Sequence, residues 1–175
     1  MLFSADDHMP RLDWFRRPDG SDGLNSIHGL THTLRVAQHT AEISEAIGLT
    51  EQESKAAFQA ALWHDIGRTN DRPDYYHGAK SAGKVVGMEL HVGLDTAIVE
   101  LALYAVTHHC GSEEHAERGA AYTSDPEATL RVLRVLKDAD ALDRVRLGDL
   151  DPRFLRYEFS KSRINRALEL LEVIR

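Results

Sequence analysis

Cysteine is nearly absent: Cys110 is the only one in 175 residues. No intrachain disulfide can form, so the fold must rest on packing, and a reducing compartment suits it. Long apolar runs are missing as well. No stretch approaches the roughly 18 consecutive apolar residues of a membrane span. The first twenty residues, MLFSADDHMPRLDWFRRPDG, have no apolar core, carry Asp6 and Asp7, and do not resemble a signal peptide. A cytoplasmic protein with no membrane association is expected. Basic residues are also in deficit, with 21 Lys and Arg against 28 Asp and Glu and a formal net charge of -7. General nucleic-acid binding needs basic patches that displace counterions, so it is not expected. A local basic site for a small phosphate is still allowed. Finally, no alternating Val/Ile/Thr runs demand a sheet, and there is no internal repeat or low-complexity tract.

What is present is helical punctuation. Residues 1–24 form a lead-in rich in Asp, Arg, Gly and Pro, whose Trp14 and Phe15 should pack onto the body. Asn25 or Ser26 can cap the next helix, with Gly29 delaying its start. Leu34, Val36, Ala37, Ala41, Ile43, Ala46 and Ile47 make an approximately helical stripe that stops at Gly48. Thr50 and Glu53 spell a capping box. The helix behind it runs through Leu62 and Trp63 to His64 and Asp65. GRTNDRPDYYHG reads as loop, and helices are expected over 77–88 and 94–109, the latter central and buried. CGSEEHAERGAAYTS reads as a polar loop. Ser124 and Glu127 suggest a second capping box, with Pro126 in the first turn of a helix reaching residue 145. An amphipathic helix over 160–174 closes the chain. Its Leu168, Leu171 and Val173 suit bundle packing, and association into a homo-oligomer is compatible with that stripe. The expectation is an all-α, compact single-domain helical bundle. It has a lead-in (1–24), a core (25–146) and a C-terminal extension (147–175) packing on that core.

The chain holds ten histidines, a high share. His8, His39, His91 and His115 fit no pattern and read as surface or packing residues. The others, with several aspartates, fall near helix ends: His28 and His32, His64 and Asp65, His77, His108 and His109, then Asp138, Asp140 and Asp143. Imidazoles and carboxylates suit first-row metals, and helices of a bundle can gather them into one pocket. Cys110 beside His109 cannot by itself make a structural zinc site, which usually uses several thiolates.

His32 in HTLRVA, His64-Asp65 in LWHDIGR and Asp140 in DADALD give an ordered His…His-Asp…Asp set that resembles the HD-domain superfamily. That superfamily is all-helical and consists mainly of metal-dependent phosphohydrolases, with a minority of di-iron oxygenases. The resemblance extends to His77 in HGAKSA and to His108-His109 in VTHHC, which match the further histidines of di-metal members. It implies two divalent cations, drawn from Fe, Mn, Co, Ni, Mg or Zn. One would be held by His32, His64, Asp65 and Asp140. The other would be held by His77, His108 and His109, with Asp65 bridging, since a carboxylate has two oxygens to share. Asp138 and Asp143 are candidates for orienting the histidines.

The implied activity is hydrolysis of a small phosphorylated metabolite or nucleotide, with Asp65, Arg68 and His28 as catalytic candidates. Arg68 is the first choice for the phosphate, ahead of Arg35, Lys80 and Arg144. The GYP extension of cyclic-dinucleotide enzymes does not follow His109, where the chain reads CGSEEHAERG. The alternatives are a di-iron oxygenase on the same scaffold and a non-catalytic metal-binding protein. A ligating His109 would fill the coordination position that oxygen needs.

Overall fold

The computed structural model describes residues 10–175; His8, Asp6 and Asp7 lie outside them. Among the described residues there is no strand, only one isolated bridge between Arg16 and Asp22. The helices are α1 (Leu30–Ala46), α2 (Glu51–Trp63), α3 (His77–Gly87), α4 (Thr96–His108), α5 (Glu113–Ala120), α6 (Pro126–Leu142), α7 (Glu158–Ser162) and α8 (Ile164–Val173). The all-α expectation holds.

Local chemistry sets most of the boundaries. α2 opens with the reciprocal capping box: the Thr50 hydroxyl accepts from Glu53 N–H, and Glu53 Oε2 accepts from Thr50 N–H at 2.9 Å. α1 is capped by neither Asn25 nor Ser26. Ser26 Oγ accepts from His28 N–H at 3.2 Å instead, and the N-cap is Gly29. A Cβ on Gly29 would stand 2.0 Å from the Leu24 carbonyl oxygen, so close backbone approach decides this start. Asp125, not Ser124, caps α6, accepting from Ala128 N–H at 2.9 Å.

The supposed polar loop contains α5, capped by Ser112. Only Ala116 and Ala120, one turn apart, are buried there; the apolar stripe is too narrow to stand out in a charged stretch. The last helix is broken at Arg163 into α7 and α8.

The core is α1, α2, α4 and α6, with α2 against the other three and α3 packed on α4. α2 turns Ala56, Ala57, Ala60 and Ala61 inward, and small side chains let its neighbours come close. Trp63, Leu62, Ile43, Leu133, Leu136 and Val106 fill the space between. α4 is central as expected, although only Leu101, Ala102, Ala105 and Val106 are fully buried.

The lead-in folds back as expected, burying Trp14 and Phe15. Lys84 of α3 pins it, donating to the carbonyls of Trp14 (2.5 Å), Arg16 (2.8 Å) and Ile66 (2.9 Å). One ammonium thus ties the lead-in to the segment after Asp65. The C-terminal part lies on α1 through ion pairs of Arg163 and Arg166 with Glu42 and through buried Ala167 and Leu170. Among the described residues, no helix is long and apolar enough to cross a membrane.

Candidate metal centre

α1 carries His32 inward near its start, and the C-terminal end of α2 delivers His64 and Asp65. α3 opens on His77, His109 follows the end of α4, and Asp140 projects from the last turn of α6. These five segments meet at one point because two glycines let backbones touch. A Cβ on Gly67 would lie 2.2 Å from Ser81 N, and one on Gly78 would lie 2.5 Å from the Val106 carbonyl oxygen. Gly67 N–H also donates to Ser81 Oγ at 2.9 Å, fixing the turn after Asp65 against α3.

Asp65 is the hub. Its Oδ2 lies 2.8 Å from His28 Nδ1, 3.6 Å from His32 Nε2 and 3.7 Å from His64 Nε2. Its Oδ1 lies 3.1 Å from His77 Nε2, 3.9 Å from His109 Nε2 and 2.9 Å from Arg68 Nε. Asp140 Oδ1 completes the first side, 3.4 Å from His32 Nε2. Each carboxylate oxygen of Asp65 therefore serves a separate set of histidines, His28, His32 and His64 on Oδ2 and His77 and His109 on Oδ1.

The outer nitrogens settle the tautomers. His64 Nδ1 faces the Ala61 carbonyl at 2.7 Å, His109 Nδ1 the Val106 carbonyl at 2.7 Å, and His77 Nδ1 the Asp74 carbonyl. His32 Nδ1 faces Asp143 Oδ2 at 2.7 Å. All four partners only accept, so each Nδ1 donates, and a ring in its neutral form turns an Nε2 lone pair inward. Those lone pairs then confront one another: His32 and His64 Nε2 are 3.0 Å apart, His77 and His109 Nε2 2.7 Å apart. Two facing lone pairs repel unless a cation or proton lies between them. Orienting acceptors behind each imidazole are what metal-bound histidines have.

The electrostatics repeat this pairing. Burial opposes a charge on Asp65, but His64 and the hydrogen bonds from His28, His32 and His77 outweigh it and hold the carboxylate well below its usual range. Burial also opposes charge on His77, yet Asp65 and Cys110 push it up to about 10. Burial, with His64 acting in the same direction, lowers its partner His109 to about 3. In the other pair burial is again the largest influence. On His32 it is overcome by Asp143 and Asp65, which raise it, whereas His64 is lowered. In each pair one imidazole is thus raised and the other lowered beside the shared carboxylate.

Not every residue singled out from the sequence arrives. His108 is directed elsewhere: its ring lies against Tyr104 at 4.3 Å and near His115 at 5.5 Å. His108 is the last residue of α4 and points about 100° away from His109, the C-cap residue that faces the centre. Asp138 is fully buried but orients no histidine; it accepts from the backbone N–H of Arg156 and Tyr157 at 2.9–3.0 Å. Asp143 does orient His32, and is itself gripped by Arg35 at 2.6 Å and 3.1 Å.

Arg35 is therefore structural, and it also donates to the Ile174 carbonyl. Lys80 pairs with Asp74 at 2.7 Å and Arg144 with Asp149. Asn70 and Asp74 close local turns on Arg72 and Tyr76, as loop formers do. His39 is a packing residue, buried to 1% exposure; burial pushes it down to about 4.

Two contributions escape the sequence reading. Cys110 presents its sulfur within 4.8 Å of the ligand nitrogens of His77 and His109. Its position directly after the inward histidine was the available signal. The lead-in also lines the entrance: Phe15, Arg17, Gly23 and Ser26 share a small polar cleft with His28, Asp65, Ile66 and Arg68.

The model of one family, the HD domain, matches residues 29–145, about two thirds of the chain and every donor named above except His28. The chain belongs to the HD-domain family. HD domains are mostly metal-dependent hydrolases, and the His/Asp clusters here are compatible with divalent metal. No curated protein and no solved structure matches the chain.

Proposed function

We propose that this HD domain is a metal-dependent phosphohydrolase that cleaves a phosphoester of a small metabolite or nucleotide. The observation that carries the reading is the convergence of four imidazole Nε2 atoms on the two oxygens of Asp65. His32, His64 and Asp140 would hold one cation and His77 with His109 the other, Asp65 serving both. The donor set is nitrogen and oxygen, which fits divalent first-row ions. When bound, such a pair supplies a water of lowered pKa and charge for the phosphoryl oxygens.

The protein's own residues do the rest. Arg68, held on Asp65 and lining the cleft, is placed to receive a phosphate oxygen; Arg17 lines the same cleft but is paired with Asp71 at 2.7 Å. Burial lowers His28. It therefore stays neutral near pH 7, and with its Nδ1 on Asp65 its other nitrogen is free to take or give a proton. A compact phosphorylated substrate of the cytoplasm, rather than a polymer, is the class that we propose.

The decisive experiment couples metal analysis to a phosphate-release screen over nucleotides and sugar phosphates. Release by the native protein and none by Asp65→Ala supports hydrolysis. His109, the histidine expected to fill the position that oxygen needs, faces the centre, which weighs against the alternative of a di-iron oxygenase. Oxygen uptake by iron-loaded protein without phosphate release would establish it.

A further inference from the structure

We propose that Cys110 is a protein ligand of the second cation, completing a nitrogen–nitrogen–sulfur set with His77 and His109 beside Asp65. The inference rests on the metal-centre reading above and adds to it the chemical class of the second ion. The first side of the hub offers His32, His64 and Asp140 around the shared carboxylate. The second side offers only His77 and His109, because His108 packs on Tyr104 instead. A third donor is wanted there, and the sulfur of Cys110 is within 4.8 Å of one ring nitrogen of each histidine.

An independent observation points to the same spot. The His109 side chain is 1% exposed, and its Nδ1 is spent on the Val106 carbonyl. Its Nε2 meets only the Nε2 of His77, at 2.7 Å. Two buried ring nitrogens are thus held against each other beside a thiol, a contact that a proton or a cation must bridge. The thiol already interacts with His77, and its Sγ also donates weakly to the Tyr75 carbonyl at 3.4 Å. Gly78 keeps the pieces together, since a Cβ there would stand 3.2 Å from His109 Nδ1 and would push α3 off the end of α4.

The consequence is selectivity. Thiolate ligands favour zinc, iron or cobalt over magnesium, calcium or manganese. On binding, a sulfur–metal bond of about 2.3 Å forms, the S–H bond breaks, and its proton passes to solvent.

The test uses the full chain titrated with Co(II). The proposal expects a thiolate-to-cobalt charge-transfer band that grows with the second equivalent and is lost in Cys110→Ser. Cys110 in the wild type should react freely with a thiol reagent before cobalt is added and be protected after it, a readout that needs no variant to fold. Two equivalents bound without the band, or with the thiol still reactive, would overturn the role of Cys110 while leaving the metal centre standing. Failure to bind cobalt at all would overturn the metal centre itself.

Discussion

Replacing His39 by leucine should stabilise the protein, and more so in acid. His39 lies on α1 seven residues past His32, is 1% exposed, and has no hydrogen-bond partner on either ring nitrogen among the described residues. Burial drives its pKa from 6.5 to about 4 in the folded chain, while Asp143 and Glu42 only partly counter this. Because the folded value is depressed, the unfolded chain takes up the proton first. The histidine therefore costs nothing extra at pH 7.5 and removes stability as pH falls through 6.5 toward 4.

Between pH 7.5 and pH 5 the loss is about 2 kcal/mol. For a chain of this size that is about 4–8 °C in Tm. Leucine removes this dependence together with the two unpartnered nitrogens, which adds about 1–2 kcal/mol at neutral pH. The assay is chemical denaturation of wild type and His39→Leu at pH 7.5 and pH 5, both free of metal. The gap between them should widen by about 2 kcal/mol at the lower pH. Parallel pH profiles would refute the argument that His39 is buried in its neutral form.

Asp143→Asn should weaken metal retention by about 10–100-fold, as loss of an orienting acceptor does, while the far-ultraviolet circular dichroism stays helical; unchanged metal affinity would remove Asp143 from the account. His108→Ala should leave bound metal unchanged and His109→Ala should lower it, measured by elemental analysis after dialysis; the reverse order would restore the ligand assignment that the resemblance implied. Arg68→Ala should raise KM for the phosphorylated substrate more than it lowers metal content, and an unchanged KM would count against phosphate contact.

Much of the fold could be read from local signals, because those signals act locally. The Thr50–Glu53 box and Gly48 mark helix ends by their own hydrogen-bonding and backbone preferences, and both α1 and α2 end or begin there. α5 was hidden because two alanines make too faint a stripe. The start of α1 was displaced because the contact between Gly29 and Leu24 is not local in pattern.

At the site, the ligand types were legible and their directions were not. Asp143 could have been preferred over Asp138 from spacing alone, since three residues on from Asp140 returns to the same helix face and two residues back does not. Whether His108 or His109 faces inward depends on the rotation of α4, which is set by its packing on α2, α3 and α6. Nor could the sequence reveal that four Nδ1 atoms all find acceptors behind them. That fact aims the four Nε2 atoms at Asp65 and makes the cluster compatible with a metal ion.

The most direct check is the metal content of wild type and Asp65→Ala after loading with cobalt or manganese and exhaustive desalting, read by elemental mass spectrometry. Wild type should retain two ions per chain and the variant close to none, because each ion would lose the carboxylate both share. An Asp65→Ala protein that keeps the wild-type ratio, or a wild type that keeps no metal, would contradict the account.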